Sequence, residues 1–431
     1  MTTQPDQKQI YLNAEMASRL AGIDIGSNSV RLLVAEVFRG SSYRILDEER
    51  EPTRLARSIS SDGRLDEDAM ERTLDALATF KQIAAGYQVS ALRTIATCAV
   101  REATNGPEFC ERIQKNVGLN VEVISGEREA RLAFSSVQHA FDLHGKNIVI
   151  ADIGGGSTEV VFATGSLVES IFSTPLGAVR LTERCGIGSG ANGIEFQQGL
   201  IKLDKEITGC LKRETSRPLF APHFLVGSGG TFTTLAELVM ASKKEADIPV
   251  AGYKVSHAEL RHLLDQLKKM SLRSRKSMAG MSSDRADIII AGLSIIDGLL
   301  KRFRVNTILV HTRGVRDGLI REMVDEYFGG QTNDPAESER AVERLAETCS
   351  GELEHGRTVA ALAGRIYDQL ASPLKLLPAD RKILETAARL QDVGYVINYD
   401  QHPFVAISRV REAYEIEVQI FERLCRAHHI P

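Results

Sequence analysis

Apolar positions along this chain fall into two textures: short runs that end in glycine-rich polar turns, and longer stretches with helical spacing. Residues 20–25 form an apolar run, Gly26-Ser27-Asn28-Ser29 a polar turn, and 30–37 a second apolar run; 43–46 reads as a third strand after Gly40. Strand, turn, strand is the grammar of a hairpin. Residues 66–85 set Leu74, Leu77, Phe80 and Ile83 on one face, so they predict a helix. Residues 91–100 read as β-rich, with Arg101 ending that strand. Residues 107–116 read as a helix with Pro107 in its first turn, and 121–124 as a short strand. A helix over 127–141 follows, opened by Ser125-Gly126 with Ser125 as its N-cap.

The opening pattern then returns. Residues 148–152 are apolar up to Asp152, Gly154-Gly155-Gly156-Ser157-Thr158 is a turn, and 159–162 is apolar again. Set side by side, AGIDIGSNSVRLLVAEV and IVIADIGGGSTEVVFAT share the order apolar run, Asp-Ile-Gly, small polar residues, apolar run. The repeat predicts two similar α/β halves facing one another. The second half continues with a strand at 167–174, a helix at 193–213, a strand at 224–227, the loop Ser228-Gly229-Gly230-Thr231 and a helix at 232–240. Helices at 256–270 and 284–303, a strand at 307–310 and a helix at 318–327 complete it. Residues 329–337 are polar, contain Pro335 and read as a linker. Beyond them, 338–370, 379–391 and 410–425 are helical in pattern. The expected organisation is a polar tail (1–19), a first domain (20–140), a second (141–304) and an all-helical C-terminal module (330–431).

With 431 residues, two or three domains are expected, and 43% hydrophobic with 26% charged residues lets each bury a core. The formal net charge of −4 argues against a general binder of duplex nucleic acid, which needs a basic surface. It leaves room for a local basic cleft. Lys268, Lys269, Arg273, Arg275 and Lys276 form one basic cluster, readable equally as a solvated helix end or as a substrate-guiding patch. The six cysteines form no CxxC pair, so neither a disulfide framework nor a zinc site is expected, and reduced thiols point to a cytoplasmic protein. Residues 1–19 lack the apolar segment of a signal peptide. No run approaches the roughly 18 apolar residues of a membrane span.

The repeated turns carry the candidate chemistry. Glycines let backbone N–H groups converge on an anion, and Ser and Thr hydroxyls add donors. Asp24 and Asp152 would repel phosphate directly, so each is a candidate to hold Mg²⁺ or its waters. Gly227 to Thr231 is a third glycine turn at a helix start, readable as an anion site or as a tight structural turn. Hydrolysis needs a group that activates water. Glu127 and Glu129 are the candidates; they point in different directions from their helix, so only one should face a cleft. Arg31 and Arg101 are candidate phosphate clamps, because a guanidinium matches phosphate oxygens in pairs.

Four blocks in order, Ile23-Asp-Ile-Gly-Ser-Asn-Ser29, Ser125-Gly-x-x-Glu-Ala-Arg131, Asp152-Ile-Gly-Gly-Gly-Ser-Thr-Glu159 and Gly227-Ser-Gly-Gly-Thr231, resemble the exopolyphosphatase and guanosine pentaphosphate phosphohydrolase family over about residues 20–325. Single blocks are shared with sugar kinases, actin and heat-shock chaperone ATPases. The resemblance implies an actin-like α/β fold of two ribonuclease-H-like domains around a cleft, the first closed by a strand and helix near 305–325. It implies Mg²⁺ (or another divalent cation), a homodimer and a part in the stringent response. The substrate it implies is inorganic polyphosphate or guanosine pentaphosphate, losing a terminal phosphate. Glu129 matches the catalytic carboxylate, Asp152 and Glu159 the metal-side acids, and Gly26 to Ser29, Gly155 to Thr158 and Arg101 the phosphate contacts. The helical module departs from the HD-type pattern of long relatives. The would-be His-Asp pair reads Gln391-Asp392, which leaves a metal set built on His355 incomplete, and His428-His429 reads as a solvated tail. Two rivals stay open: a kinase of the same superfamily, and a regulator that binds guanosine pentaphosphate without hydrolysing it.

Overall fold

The computed structural model describes residues 18–38, 42–55, 63–143, 145–188, 193–218, 220–245, 248–328, 353–374 and 378–390. Expectations for the tail before residue 18, the linker at 329–337, Gln391-Asp392, the helix at 410–425 and His428-His429 lie outside these residues.

The first sheet is built from β1 (Ser18–Ile25), β2 (Val30–Phe38), β3 (Ser42–Glu51), β4 (Ala91–Ala96) and β5 (Val121–Val123), in the order β3-β2-β1-β4-β5. Helices α1 (Glu67–Gly86), α2 (Cys98–Glu102), α3 (Gly106–Val117) and α4 (Gly126–Ala140) accompany it. The β1–β2 hairpin is antiparallel and sets Asp24 opposite Arg31, while β4 runs parallel to β1. The second sheet holds β6 (Asn147–Ile153), β7 (Thr158–Thr164), β8 (Leu167–Thr174), β9 (Phe224–Ser228), β10 (Lys254–Ser256) and β11 (Thr307–Val310), in the order β10-β11-β9-β6-β7-β8. Its helices are α5 (Ala178–Arg184), α6 (Ile194–Glu214), α7 (Gly230–Lys243), α8 (His257–Leu267), α9 (Leu272–Lys276), α10 (Ile289–Phe303) and α11 (Val315–Phe328). Read from the hairpin side, β3-β2-β1-β4-β5 and β8-β7-β6-β9-β11 are the same order, with β10 added at the second sheet's edge. The repeat seen in the sequence is therefore a repeat of topology, and the two-sheet α/β fold is the expected one.

The central strands are buried on both faces: Leu20, Ala21, Ile23 and Ile25 of β1, and Ile148, Val149, Ile150 and Ala151 of β6, are essentially inaccessible. Such strands read as continuous apolar runs rather than alternating ones. Helix α11 covers the first sheet, its Leu319, Ile320, Met323 and Val324 packing with Leu20, Leu33 and Ile95.

Several expectations change. The late strand β11 pairs with β9 and β10, so only helix α11 of that segment joins the first sheet. The β-rich 91–100 stretch splits: β4 ends at Ala96, and Arg101 belongs to α2, where its N–H donates to Thr97 O. Strand β3 runs on through Asp47–Glu51, because pairing with β2 supplies its hydrogen bonds and its edge position tolerates charge. Helix α10 starts at Ile289, not 284; residues 283–288 form tight turns held by the Arg285 N–H on Ser282 O and the Ile288 N–H on Arg285 O. In the basic cluster Arg275 is neither solvated nor guiding substrate: it is fully buried and donates to Ala286 O at 2.9 Å.

Of the described residues, those up to 142, 147–162 and 170–328 form one compact unit, and those within 143–146, 163–169 and 353–390 a second. In the second unit, α12 (Leu353–Leu374) and α13 (Pro378–Arg389) are joined by Arg381, which holds Asp368 at 2.8 Å and Glu385 at 2.6 Å. A Cβ on Gly356 would lie 2.8 Å from Arg389 O, so the helices meet closely there. His355 lies exposed on α12.

Candidate active site

The two repeated hairpins end against each other. A Cβ on Gly155 would come within 3.1 Å of Ser27 Cβ and 3.2 Å of the Asn28 amide, and one on Gly156 within 2.9 Å of Ser27 Oγ. Both tips close on themselves in the same way, Gly26 N–H to Ser29 O at 3.2 Å and Gly154 N–H to Ser157 O at 2.9 Å. Their carbonyls are engaged elsewhere. Gly154 O accepts from Ala178, Gly155 O from Val179 and Arg180 at the start of α5, and Asn28 O from Arg54. Carbonyls turned away in this manner are what a backbone cradle for an anion requires. Helix α5, absent from the sequence expectation, supplies that turn. Gly177 before it must be glycine, since its Cβ would sit 2.1 Å from Gly155 O.

Between the tips lies a cleft of about 230 Å³. Gly26, Ser27, Asn28, Ser29, Arg31, Gly154, Gly155, Gly156, Ser157, Gly229 and Gly230 line it, together with Asp24, Asp152 and Glu129. The structure thus brings most of the proposed contacts together. Thr158 and Thr231 turn inward: Thr158 donates to Leu176 O, and Thr231 packs on Gly292 of α10. Ser228, Glu159 and Arg101 stand behind the lining. The sequence reading missed Arg50, Arg285, Arg313 and Arg316, which make five arginines in the cleft with Arg31, against three carboxylates. Arg50 sits in a charged strand that reads as solvated, and Arg285 in a segment that reads as helix. A signal existed in the glycine that opens α7: a Cβ on Gly230 would overlap the Arg285 guanidinium.

The acids are held against their own charge. Asp24 and Asp152 are pushed above their ordinary range by burial; Arg31, between them, pulls both back. Asp24 Oδ1 is buried with no hydrogen-bond partner among the described residues. Glu129 is 7% exposed; burial and then the charge of Glu159 raise its carboxyl well above normal, while Arg101 at 3.2 Å opposes the rise. Glu159, pushed up to about 7 by burial and Asp152, accepts a hydrogen bond from Ser173 at 2.9 Å. Arg101 also donates to Ile124 O at 2.8 Å, so it fixes the entry to α4. The Ser125 hydroxyl accepts the Arg128 N–H as expected of an N-cap. Of the two candidates on that helix, Glu129 faces the cleft, and Glu127 is exposed and pairs with Arg131 at 3.0 Å. Arg285 is lowered to about 10 by burial and by Arg31 and Arg50. It lies at the N-terminus of α7, where the helix dipole also disfavours a cation, so the two together call for an anion.

Among the described residues, no three His, Cys, Asp or Glu side chains gather into a metal cage, so Asp24, Asp152 and Glu159 are not assembled as one. Asp24 and Asp152 remain two buried oxygen donors beside the cradle. A Cβ on Gly229 would lie 2.7 Å from Asp152 Oδ1, so only glycine lets that carboxylate in.

Comparison with known proteins agrees with this geometry. The model of the Ppx/GppA phosphatase family matches residues 33–327. A guanosine-5′-triphosphate,3′-diphosphate pyrophosphatase of Vibrio parahaemolyticus is 28% identical over 380 residues, 88% of this chain and 73% of that protein. A family member of Aquifex aeolicus with a solved structure is 30% identical with a TM-score of 0.60, covering 72% of this chain and 99% of that one. An exopolyphosphatase of Cytophaga hutchinsonii is 29% identical with a TM-score of 0.62, covering 72% and 98%.

Proposed function

The chain belongs to the Ppx/GppA phosphatase family, and from that premise we propose that it hydrolyses the terminal phosphoanhydride of inorganic polyphosphate or of the 5′ chain of guanosine pentaphosphate. The observation that carries this reading is Glu129, a buried carboxylate facing the cleft behind two hairpin tips that touch.

The terminal phosphate sits on the amides and hydroxyls of Gly26 to Ser29 and Gly154 to Ser157. Glu129 takes a proton from a water that attacks the terminal phosphorus. The bond from phosphorus to the bridging oxygen breaks, and the charge left on the departing chain meets the cleft arginines. In phosphoryl transfer the protein's share is mostly positioning and electrostatic stabilisation. Burial and then Glu159 raise the proton affinity of Glu129 while Arg101 lowers it, and a base works best when that affinity lies near the working pH. Mg²⁺ binds through one or two carboxylates plus substrate phosphates and water. The unpaired Asp24 Oδ1 and the Asp152 carboxylate fit that pattern, and a bound Mg²⁺ would neutralise phosphate oxygens.

The test is phosphate release with Mg²⁺ on long and short polyphosphate, guanosine pentaphosphate and ATP, side by side. Glu129→Gln keeps the shape and removes the base, so turnover should fall by about 10² to 10⁴. Near wild-type turnover in Glu129→Gln would remove the residue from the mechanism.

A further inference from the structure

The charged end of β3 does more than close a sheet edge. Arg50 donates from Nε to Ser29 Oγ in the first hairpin tip at 3.4 Å and pairs through Nη2 with Asp284, in the turn before α10. Four residues on, the Arg54 N–H donates to Asn28 O of the same tip at 3.0 Å, and its guanidinium reaches Asp287 Oδ2 at 3.2 Å and Asp284 O at 3.3 Å. Arg54 adopts a φ of +56°, a conformation that residues with side chains rarely take. The tail of β3 is therefore a strap from the first tip to the 284–287 turn. Its two pairs differ in place. Arg50 lines the catalytic cleft, whereas Arg54 and Asp287 line a separate cavity beyond Asn28.

Arg50 also differs from the arginines around it. Arg31 and Arg285 crowd it with like charge, and Asp284 is the carboxylate it pairs with. Both members are partly exposed, 32% and 23%, so water and an incoming anion can reach the pair. A single internal phosphate matches a carboxylate in charge and suits the guanidinium fork as well, and a polyanion adds the field of its neighbouring phosphates, which one carboxylate lacks.

We propose that Arg50 binds the phosphates behind the scissile bond, and that Asp284 holds Arg50 until substrate arrives and then yields it. Asp284 is an internal competitor of the substrate; the Arg54–Asp287 pair, off the cleft, keeps the strap anchored during the exchange. This rests on the phosphohydrolase reading above and adds a residue that sets affinity.

Steady-state kinetics on tripolyphosphate, long polyphosphate and guanosine pentaphosphate test it. Asp284→Asn should lower KM about two- to fivefold. Arg50→Ala should raise KM about tenfold or more, and Arg50→Lys, which keeps charge without the fork, should lie between. In the double variant the Asp284 effect should vanish, because its target is gone. If Asp284→Asn raises KM, or acts as strongly without Arg50 as with it, the residue is structural and the exchange is wrong. If the wild-type chain releases phosphate from no substrate, it is the phosphohydrolase reading that fails. Calorimetric titration with tripolyphosphate then decides the exchange alone: tighter binding to Asp284→Asn upholds it, unchanged or weaker binding overturns it.

Discussion

His311 offers a stability test whose size follows from its surroundings. It is 2% exposed at the end of β11, its Nε2 lies 2.8 Å from Ser136 Oγ of α4, and Phe141 meets its ring edge-on at 5.4 Å. Burial, then Arg313 and Arg321, lower its proton affinity from 6.5 to about 4. The folded protein thus keeps this imidazole neutral at pH values where the unfolded chain protonates it. The stability it protects is fully present above pH 6.5 and is lost as pH falls toward 4. At about 1.4 kcal/mol per unit, the full effect is of order 3 kcal/mol, with about 2 kcal/mol lost between pH 8 and pH 5. Glu159 acts in the opposite sense: its raised carboxyl favours the fold below 4.5 and loses that contribution as pH rises through about 7. The wild-type pH profile alone is therefore uninformative. The measurement is urea unfolding of wild type and His311→Gln at pH 8 and pH 5, at fixed ionic strength with chelator present. The carboxylates are common to both proteins and cancel. The wild type should lose about 2 kcal/mol more than the variant; equal losses, within about 0.5 kcal/mol, would show that His311 titrates normally.

Two substitutions at glycines probe packing and site separately. Gly230→Ala places a methyl on the Arg285 guanidinium; KM should rise at least about tenfold with the thermal midpoint little changed, because the clash is with the movable end of a side chain. Gly318→Ala meets backbone, since its Cβ would lie 2.1 Å from Leu132 O where α11 crosses α4. It should cost about 1 to 3 kcal/mol by overpacking, read as a lower urea midpoint; an unchanged midpoint would mean the two helices are less closely packed than described.

What could be read in the sequence was local, and what could not was assembled from distant segments. A strand ending in Asp-Ile-Gly before small polar residues carries its own hairpin, so Asp24, Asp152 and both cradles were visible. The direction of a hydroxyl was not: Thr158 and Thr231 lie in the predicted turns yet donate or pack inward. The arginines depend on tertiary approach. Arg50, Arg285 and Arg316 come from a strand edge, a turn and a helix start, and no spacing links them. Arg275 shows the converse, a residue of a basic run that ends fully buried on the Ala286 carbonyl. Residues 284–288 read as helix because their composition suits one; the ties of Asp284 and Asp287 to Arg50 and Arg54 accompany a different backbone.

The site also divides rigid parts from exchangeable ones. Glu129 stands one turn inside α4, and that helix is fixed along its length: Ser125 caps it, Arg101 holds Ile124 and Glu129, Gly318 lets α11 press on Leu132, and Ser136 meets His311. A base must be held within a fraction of an ångström of its water, since small displacements cost large factors in rate. The cleft arginines stand differently. Arg50 rests on a partly exposed carboxylate partner, and Arg285 on a glycine and a helix end, arrangements that a polyanion would improve under the proposed exchange. In the proposed reaction, the rigid part would lie under the bond that breaks, and the exchangeable cations along the chain that must bind and leave. A kinase needs the second feature as much as a hydrolase does. The first, a clamped carboxylate facing the cleft, is what favours water as the acceptor in the proposed reaction.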